Sequence, residues 1–345
     1  MTTQPFLGTD LPIVQAPMAG VQGSALAIAV CAAGGLGSLP CAMLGGAALR
    51  DEIAALAAGA QGRPFNVNFF CHAPPAPDAA REAAWRAALA PYYREFGIDA
   101  DAIAPGPGRA PFDAEAAALV EAFRPPIVSF HFGLPAPDLL ARVKASGAKV
   151  LASATTVDEA RWLESHGADG VIAQGVEAGG HRGIFLSDDL ATQAGTLALV
   201  PQIVRAVRLP VVAAGGIADA RGIAAALALG AVAAQVGTAY LLCAEATTSA
   251  VHRAALASDA ARHTMLTRLF TGRPARGIVN RLMRELEPAS PLAPAFPLAV
   301  AALAPLRAAA ERRGSGDFSP LWCGQNASGC RAAPAGELTR ALAAI

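Results

Sequence analysis

Residues 210–238 read PVVAAGGIADARGIAAALALGAVAAQVGT, and this stretch contains a complete strand–helix–strand repeat. Pro210–Ala213 is a short apolar run of the kind formed by a parallel strand covered on both faces. Gly215-Gly216 makes the turn, and Asp219 is placed to cap a helix over Ala220–Leu229, which Gly230 stops. Val232–Val236 is the next strand, and it ends in Gly237-Thr238.

The same grammar extends toward the N-terminus. Further strands are expected at Ile13–Ala16, Leu36–Leu39, Phe65–Phe70, Ile127–Phe130, Lys149–Ala152 and Gly170–Ala173. Helices are expected at Ser24–Ala33, Pro137–Ser146 and Val157–His166. Eight strands in alternation with helices make this an α/β protein, and a closed TIM (β/α)8 barrel rather than an open sheet. Two regions depart from the pattern. His72–Phe123 is a long insert broken by prolines, with two extra helical pieces. Beyond Leu242 about a hundred residues remain, read as an added C-terminal helical lobe over Ser249–Leu286 and Leu298–Arg313 with a proline-rich linker at Pro288–Pro297. The division expected is 1–245 for a cofactor-binding barrel, 246–320 for a helical lobe covering the site, and 321–345 for a segment returning to the barrel.

Composition narrows the functional classes. The 345 residues carry 27 Lys+Arg against 27 Asp+Glu, so no basic face for nucleic acid is expected. A mean hydropathy of +0.39 raises the membrane question, as do the charge-free stretches Leu11–Leu49 and Gly222–Ala244. Pro12, Pro17, Gly20 and Pro40 break the first, and Gly230, Gln235 and Gly237 break the second, so buried barrel strands explain both better than a membrane helix. The N-terminus lacks the basic-then-apolar pattern of a signal peptide, and six scattered cysteines without a CxxC pair suggest reduced thiols. The expected location is the cytoplasm.

In such barrels the chemistry sits at the C-terminal ends of strands. Gly215 and Gly216 after strand seven, with Gly237 and Thr238 after strand eight, form a cradle for a single phosphate. GGLGSLP from Gly34 is no dinucleotide fingerprint, since Pro40 holds its third glycine position, so FMN or a sugar phosphate suits better than NAD. After strand six, Gly179-Gly180 offers a flat surface for a planar ring with His181 beside it. His131, at the end of strand four, is a weaker candidate of the same kind. His72, His166, His252 and His263 read as ordinary loop or helix residues, and no grouping has metal-ligand spacing.

The motifs PIVQAPMAG (Pro12–Gly20), FNVNFFCH (Phe65–His72), VSFHFGLP (Val128–Pro135), DGVIAQGVEAGGHRG (Asp169–Gly183), PVVAAGGIAD (Pro210–Asp219), AQVGTAYLL (Ala234–Leu242), TRLFTGRPARGIVN (Thr267–Asn280) and LWCGQNASG (Leu321–Gly329) together resemble the nitronate monooxygenase family. The resemblance implies noncovalent FMN and oxidation of alkyl nitronates, such as propionate 3-nitronate, or of nitroalkanes, by molecular oxygen to a carbonyl compound and nitrite. It implies Pro17, Met18, Asn68, Gln174, Gly179 and Gly180 near the flavin, and Gly215, Gly216, Gly237 and Thr238 on its phosphate. Gln325 would reach the flavin from the C-terminal segment, and His181 with His131 would be the catalytic pair. Family members with Tyr and Lys in the lobe differ from this chain, whose tyrosines are 92, 93 and 240 and whose lysines end at Lys149, so a more apolar pocket around Phe296 and Trp322 is expected. The partners implied are a small nitronate and oxygen, with a homodimer as the candidate assembly. Two other readings share the barrel: an NAD(P)H-dependent FMN reductase acting on an enoyl thioester or quinone, and a phosphosugar isomerase or aldolase. The latter needs a rim base, for which Glu177 is the one carboxylate in place.

Overall fold

Every strand expected from the sequence is present in the computed structural model, which describes residues 5–104 and 109–344. The barrel strands are β1 (Ile13–Gln15), β2 (Gly37–Pro40), β3 (Phe65–Phe70), β4 (Ile127–His131), β5 (Lys149–Ala154), β6 (Gly170–Gln174), β7 (Val211–Ala214) and β8 (Ala233–Val236). They pair in parallel in the order β1-β8-β7-β6-β5-β4-β3-β2. The ends meet where Gln15 N donates to Leu36 O at 2.9 Å and Leu36 N donates to Ile13 O at 2.8 Å. The fold is a TIM barrel.

The apolar runs are explained by burial on both faces: every residue of β3 and of β6 is buried. Val14, Leu36, Ile127, Leu151, Ile172 and Val212 pack together inside, where Leu7 joins them. Nearer the cavity the interior turns polar, and Asn66 Nδ2 donates to Ser38 Oγ at 3.0 Å and to Ser129 Oγ at 2.9 Å. The expected cap is in place, with Gly222 N donating to Asp219 Oδ1 at 2.8 Å, and Gly230 takes a left-handed φ of 96° to end the helix Ala220–Ala228. Among the described residues no helix is long and apolar enough to cross a membrane.

The regions outside the repeat differ from the expectation. Within the insert, the helix Ala114–Phe123 packs on its neighbours Gly46–Gly59 and Pro137–Ala145 as an ordinary barrel helix, so only Ala79–Phe96 is extra. That extra helix leaves the barrel and builds a second apolar core with Ala299–Arg312, in which Trp85, Leu89, Leu303, Leu306 and Phe318 are buried together. Trp85 Nε1 donates to Ala299 O at 3.3 Å and Tyr93 Oη to Ala302 O at 2.7 Å.

Ser249–Leu286 is not a run of helix. It contains the short helices Ala250–Leu256 and Arg281–Glu285, and between them Thr264–Thr267 pairs antiparallel with Ala275–Ile278. Gly272 lies at φ 87° in the connecting turn, Pro274 cannot donate to a helix ladder, and the flanking Thr, Ile and Val favour strands. Ala275 and Arg276 then pair with His181 and Gly180, tying the lobe to the barrel rim. Trp85→Ala should lower the lobe's stability by about 3–5 kcal/mol through the cavity it leaves, read as a lower midpoint in urea denaturation followed by tryptophan fluorescence.

Candidate active site

A cavity of about 1290 Å3, counting its open mouth, lies at the C-terminal end of the barrel. It is lined by Pro17, Met18, Asn68, His131, Gln174, Gly179, Gly180, His181, Gly215, Gly216, Gly237 and Thr238, residues scattered over 222 positions of sequence from 17 to 238 that the fold brings to one place. Gln325 does not line it. Its neighbours Gly324 and Asn326 do, while Gln325 N donates to Glu177 O at 2.9 Å.

The loop after β6 is folded back on itself by side chains of its own ends. Gln174 Nε2 donates to His181 O at 3.0 Å, and Gln174 Oε1 accepts from Gly183 N at 2.8 Å. Arg182, fully buried, donates to Gly175 O and Gln174 O at 2.7 Å each. Burial pushes its guanidinium down to about 10, still charged at neutral pH, and carbonyl dipoles take the place of a carboxylate. The two glycines of this loop have different reasons to be glycine. A Cβ on Gly179 would lie 2.5 Å from Gly324 N and 2.6 Å from the Cys323 carbonyl carbon, so Gly179 is fixed by backbone packing of the C-terminal segment. Gly180, at φ 71°, has open space where a Cβ would stand. Gly179→Ala should therefore lower the melting temperature more than Gly180→Ala, whose cost is limited to about 1–2 kcal/mol of left-handed strain; differential scanning calorimetry of the two variants makes the comparison.

His181 stands in an aromatic enclosure. Its ring centroid lies 5.4 Å from that of Phe296 and 5.5 Å from that of Trp322, with Phe70 and Phe132 at 6.2 and 6.1 Å. Of the two residues around which an apolar pocket was expected, Trp322 lines the cavity, and Phe296 packs against His181 without lining it. His181 Nε2 is 2.9 Å from Thr271 Oγ1. Burial drives its pKa well below 6.5, and the nearby charges of Arg109 and Arg273 push the same way, so the imidazole is neutral at physiological pH.

His131 is neutral as well, lowered to about 3 chiefly by burial. Both its ring nitrogens are engaged: Nε2 donates to His181 O at 3.2 Å, and Nδ1 accepts from Ser153 Oγ at 3.0 Å. His131 therefore works on the backbone of His181. Arg273 stacks on Phe132 with Cζ 3.9 Å from the ring centroid and donates to Ile184 O, closing the wall behind the pair.

The glycine turns expected to form a cradle, after β7 and after β8, both lie at the cavity wall. Gly215 and Gly216 take φ values of 121° and 68°, and a Cβ on Gly215 would lie 2.7 Å from Thr196 Oγ1. Thr196 N and Oγ1 donate to Glu177 Oε2 at 2.9 and 2.8 Å, so the rim carboxylate is consumed as a cap on the helix Thr196–Ala206. It is not free to act as a base. After β8 the chain makes only a short 3-10 turn, Thr238–Leu242, and Thr238 Oγ1 accepts from Gly324 N at 2.9 Å. Asn326 Nδ2 donates to Gly216 O at 3.0 Å, so the C-terminal segment does return to the cradle.

Several lining residues escaped the sequence reading. Gln235 on β8 lines the cavity and has a buried Oε1 with no hydrogen-bond partner among the described residues. His252, read as ordinary, lines the cavity while its Nε2 donates to Trp322 O at 3.1 Å. Ser153 and Arg109 line it too. His72 is one layer back, its Nε2 donating to Arg109 O at 3.0 Å, and His166 stacks on Trp162 at the surface.

These features describe a TIM-barrel protein with a cavity at the C-terminal end of its barrel, lined by a buried, neutral histidine and by glycine turns after β6, β7 and β8. The chain belongs to the nitronate monooxygenase family, whose model matches residues 2–344. Nitronate monooxygenases of Paraburkholderia phytofirmans and Pseudomonas aeruginosa are each 45% identical, over 98% of this chain and 93% and 96% of their own lengths. Among solved structures, a nitroalkane oxidase from Streptomyces ansochromogenes superposes with a TM-score of 0.89 at 42% identity, covering 99% of this chain and 97% of that one. FabK from Thermotoga maritima superposes with a TM-score of 0.73 at 27% identity, covering 99% and 94%.

Proposed function

We propose that the protein is an FMN-dependent nitronate monooxygenase that oxidises alkyl nitronates with molecular oxygen to a carbonyl compound and nitrite. The observation that carries this reading is a neutral histidine, His181, held by its backbone at the wall of an apolar cavity that also contains the Gly215-Gly216 and Gly237-Thr238 turns. Family membership and the 45% identity to named nitronate monooxygenases support it.

The residues present suit FMN. Gly215, Gly216, Gly237 and Thr238 would hold the phosphate, and the open space at Gly180 leaves room for a ring. The unpartnered Gln235 Oε1 is an acceptor for a ring N–H, and Asn68, held by its Nδ2 donating to Ser129 Oγ at 2.9 Å, keeps its Oδ1 available. FMN bound there supplies the one-electron chemistry between a nitronate and oxygen.

The chain's own contribution is orientation and proton handling. In the tautomer where Thr271 Oγ1 donates to Arg273 O at 3.4 Å and accepts from His181 Nε2 at 2.9 Å, Nδ1 is bare. A bare Nδ1 can remove the α-proton of a neutral nitroalkane, and the protonated ring that results is a donor to the nitronate oxygens. Phe70, Phe132, Phe296 and Trp322 exclude water around that step and raise the strength of the resulting charge contact.

His181→Asn should lower turnover of nitroethane by about 100-fold or more with flavin content unchanged, whereas Gly237→Leu should abolish flavin content; a yellow, fully loaded Gly237→Leu protein would contradict the cradle. The base form of His181 is present above its lowered pKa and lost as pH falls through it. The acid limb of kcat/KM for nitroethane should therefore lie below pH 6.5 and be absent from the His181→Asn profile. A limb at or above 6.5 would contradict the burial argument.

A further inference from the structure

We infer that Ser153 is a positioning residue for His181: its hydroxyl holds the His131 ring in the one orientation that donates to the His181 carbonyl, an inference that rests on the reading of His181 as the proton-abstracting base. Along β5, Val150, Ala152 and Ala154 pack in the layer between the barrel and its helices, while Leu151 joins the interior apolar cluster. Ser153 shares the face of Leu151, so strand alternation turns it inward, and it stands at the cavity wall only 5% exposed. In the parallel register Phe130 pairs with Ala152, so His131 and Ser153, one residue further along each strand, emerge side by side. Packing alone does not call for a hydroxyl at that position. Among the described residues Ser153 Oγ has a single hydrogen-bond partner, His131 Nδ1 at 3.0 Å.

The other side of the ring shows what that bond is for. His131 Nε2 lies 3.2 Å from His181 O, and a carbonyl oxygen only accepts, so this contact is a hydrogen bond when Nε2 carries the proton. The imidazole is neutral, which leaves Nδ1 as the bare acceptor that the serine hydroxyl satisfies. A half-turn of the ring about its Cβ–Cγ bond puts carbon atoms where both nitrogens stood. With Ser153 in place that turn breaks two hydrogen bonds, and without it only one. The loop after β6 is shaped to the pair as well. A Cβ on Gly183 would lie 2.9 Å from His131 Cε1 and 3.0 Å from Ser153 Cβ, so bare backbone closes over both residues. Gly183 N donates to Gln174 Oε1 at 2.8 Å, and Gln174 Nε2 donates to the same His181 O at 3.0 Å. Loss of the serine hydroxyl therefore loosens one of two holds on His181 and leaves the other.

The test pairs kinetics with a spectroscopic reading of the ring, both on the flavin-loaded enzyme. Ser153→Ala should lower kcat for nitroethane about 10-fold with KM changed by no more than about twofold, because the base is misplaced while the cavity is kept. Ethyl nitronate arrives already deprotonated, so its turnover should fall by at most about threefold, with flavin content unchanged. An unchanged kcat for nitroethane would overturn the inference. Equal losses for the two substrates, or a loss of flavin, would overturn it too, because Ser153 would then support the cavity as a whole. The second reading is solvent exchange of the His131 Nε2 proton in 15N-histidine-labelled protein, its signal assigned by its absence from the His131→Asn spectrum. Ser153→Ala should speed that exchange about 10-fold; a proton equally protected in wild type and variant contradicts the assignment. Exchange does not depend on what is oxidised, so if the wild type turns over neither substrate the nitronate reading fails and the exchange result alone decides the role of Ser153.

Discussion

The site depends on one backbone carbonyl. His181 O accepts from Gln174 Nε2 at 3.0 Å and from His131 Nε2 at 3.2 Å, so the end of β6 and the end of β4 grip the same atom. That grip sets where the imidazole enters the cavity, and the rest follows from it. Gln174 is committed because its other amide atom holds Gly183 N at 2.8 Å, and His131 is committed because Ser153 occupies its second nitrogen. Strand pairing of Gly180–His181 with Ala275–Arg276 then ties the same constraint to the residues after the barrel.

A histidine held in this way is selected for neutrality. Four aromatic rings surround it, two arginines stand nearby, and no carboxylate lines the cavity to stabilise an imidazolium. The carboxylates of this region are used elsewhere, as structural acceptors. Glu177 caps a helix at Thr196, and the buried Glu159 collects donors from Thr155 N and Oγ1 at 2.6 and 2.7 Å and from Phe185 N at 2.7 Å. The result is a cavity with positive charge and bare acceptors but no anion of its own. Such a cavity suits an anionic substrate and is poorly suited to chemistry that needs a carboxylate or lysine base.

The barrel was legible because its strands are covered on both faces, which writes them as short, largely apolar runs that alternate with helical stretches. β3 and β6 were readable to within a residue for this reason. The rim glycines and His181 were legible because strand ends are where a barrel exposes function. The lobe was not legible in the same way. Thr264–Thr267 and Ala275–Ile278 are short strands that pair with each other, and Ala275 and Arg276 pair further with His181 and Gly180, 94 and 96 positions earlier; such distant pairing leaves no local periodicity. Arg109 lies in a proline-rich loop where an arginine reads as surface, and only the fold turns it toward Phe296. Gly179 was expected to be glycine to leave a flat surface for a ring, whereas the Cys323–Gly324 backbone is what excludes its side chain.

The central claim is that this barrel oxidises nitronates rather than reducing an enoyl thioester or quinone with NAD(P)H, the other flavin chemistry its sequence allows. The direct measurement is oxygen uptake and nitrite release by the purified flavoprotein given ethyl nitronate alone, beside anaerobic mixing of the same protein with NADH. The account predicts oxygen uptake and nitrite without NADH, and a flavin spectrum that NADH leaves oxidised. Rapid bleaching of the flavin by NADH, with no oxygen uptake on nitronate, would contradict it.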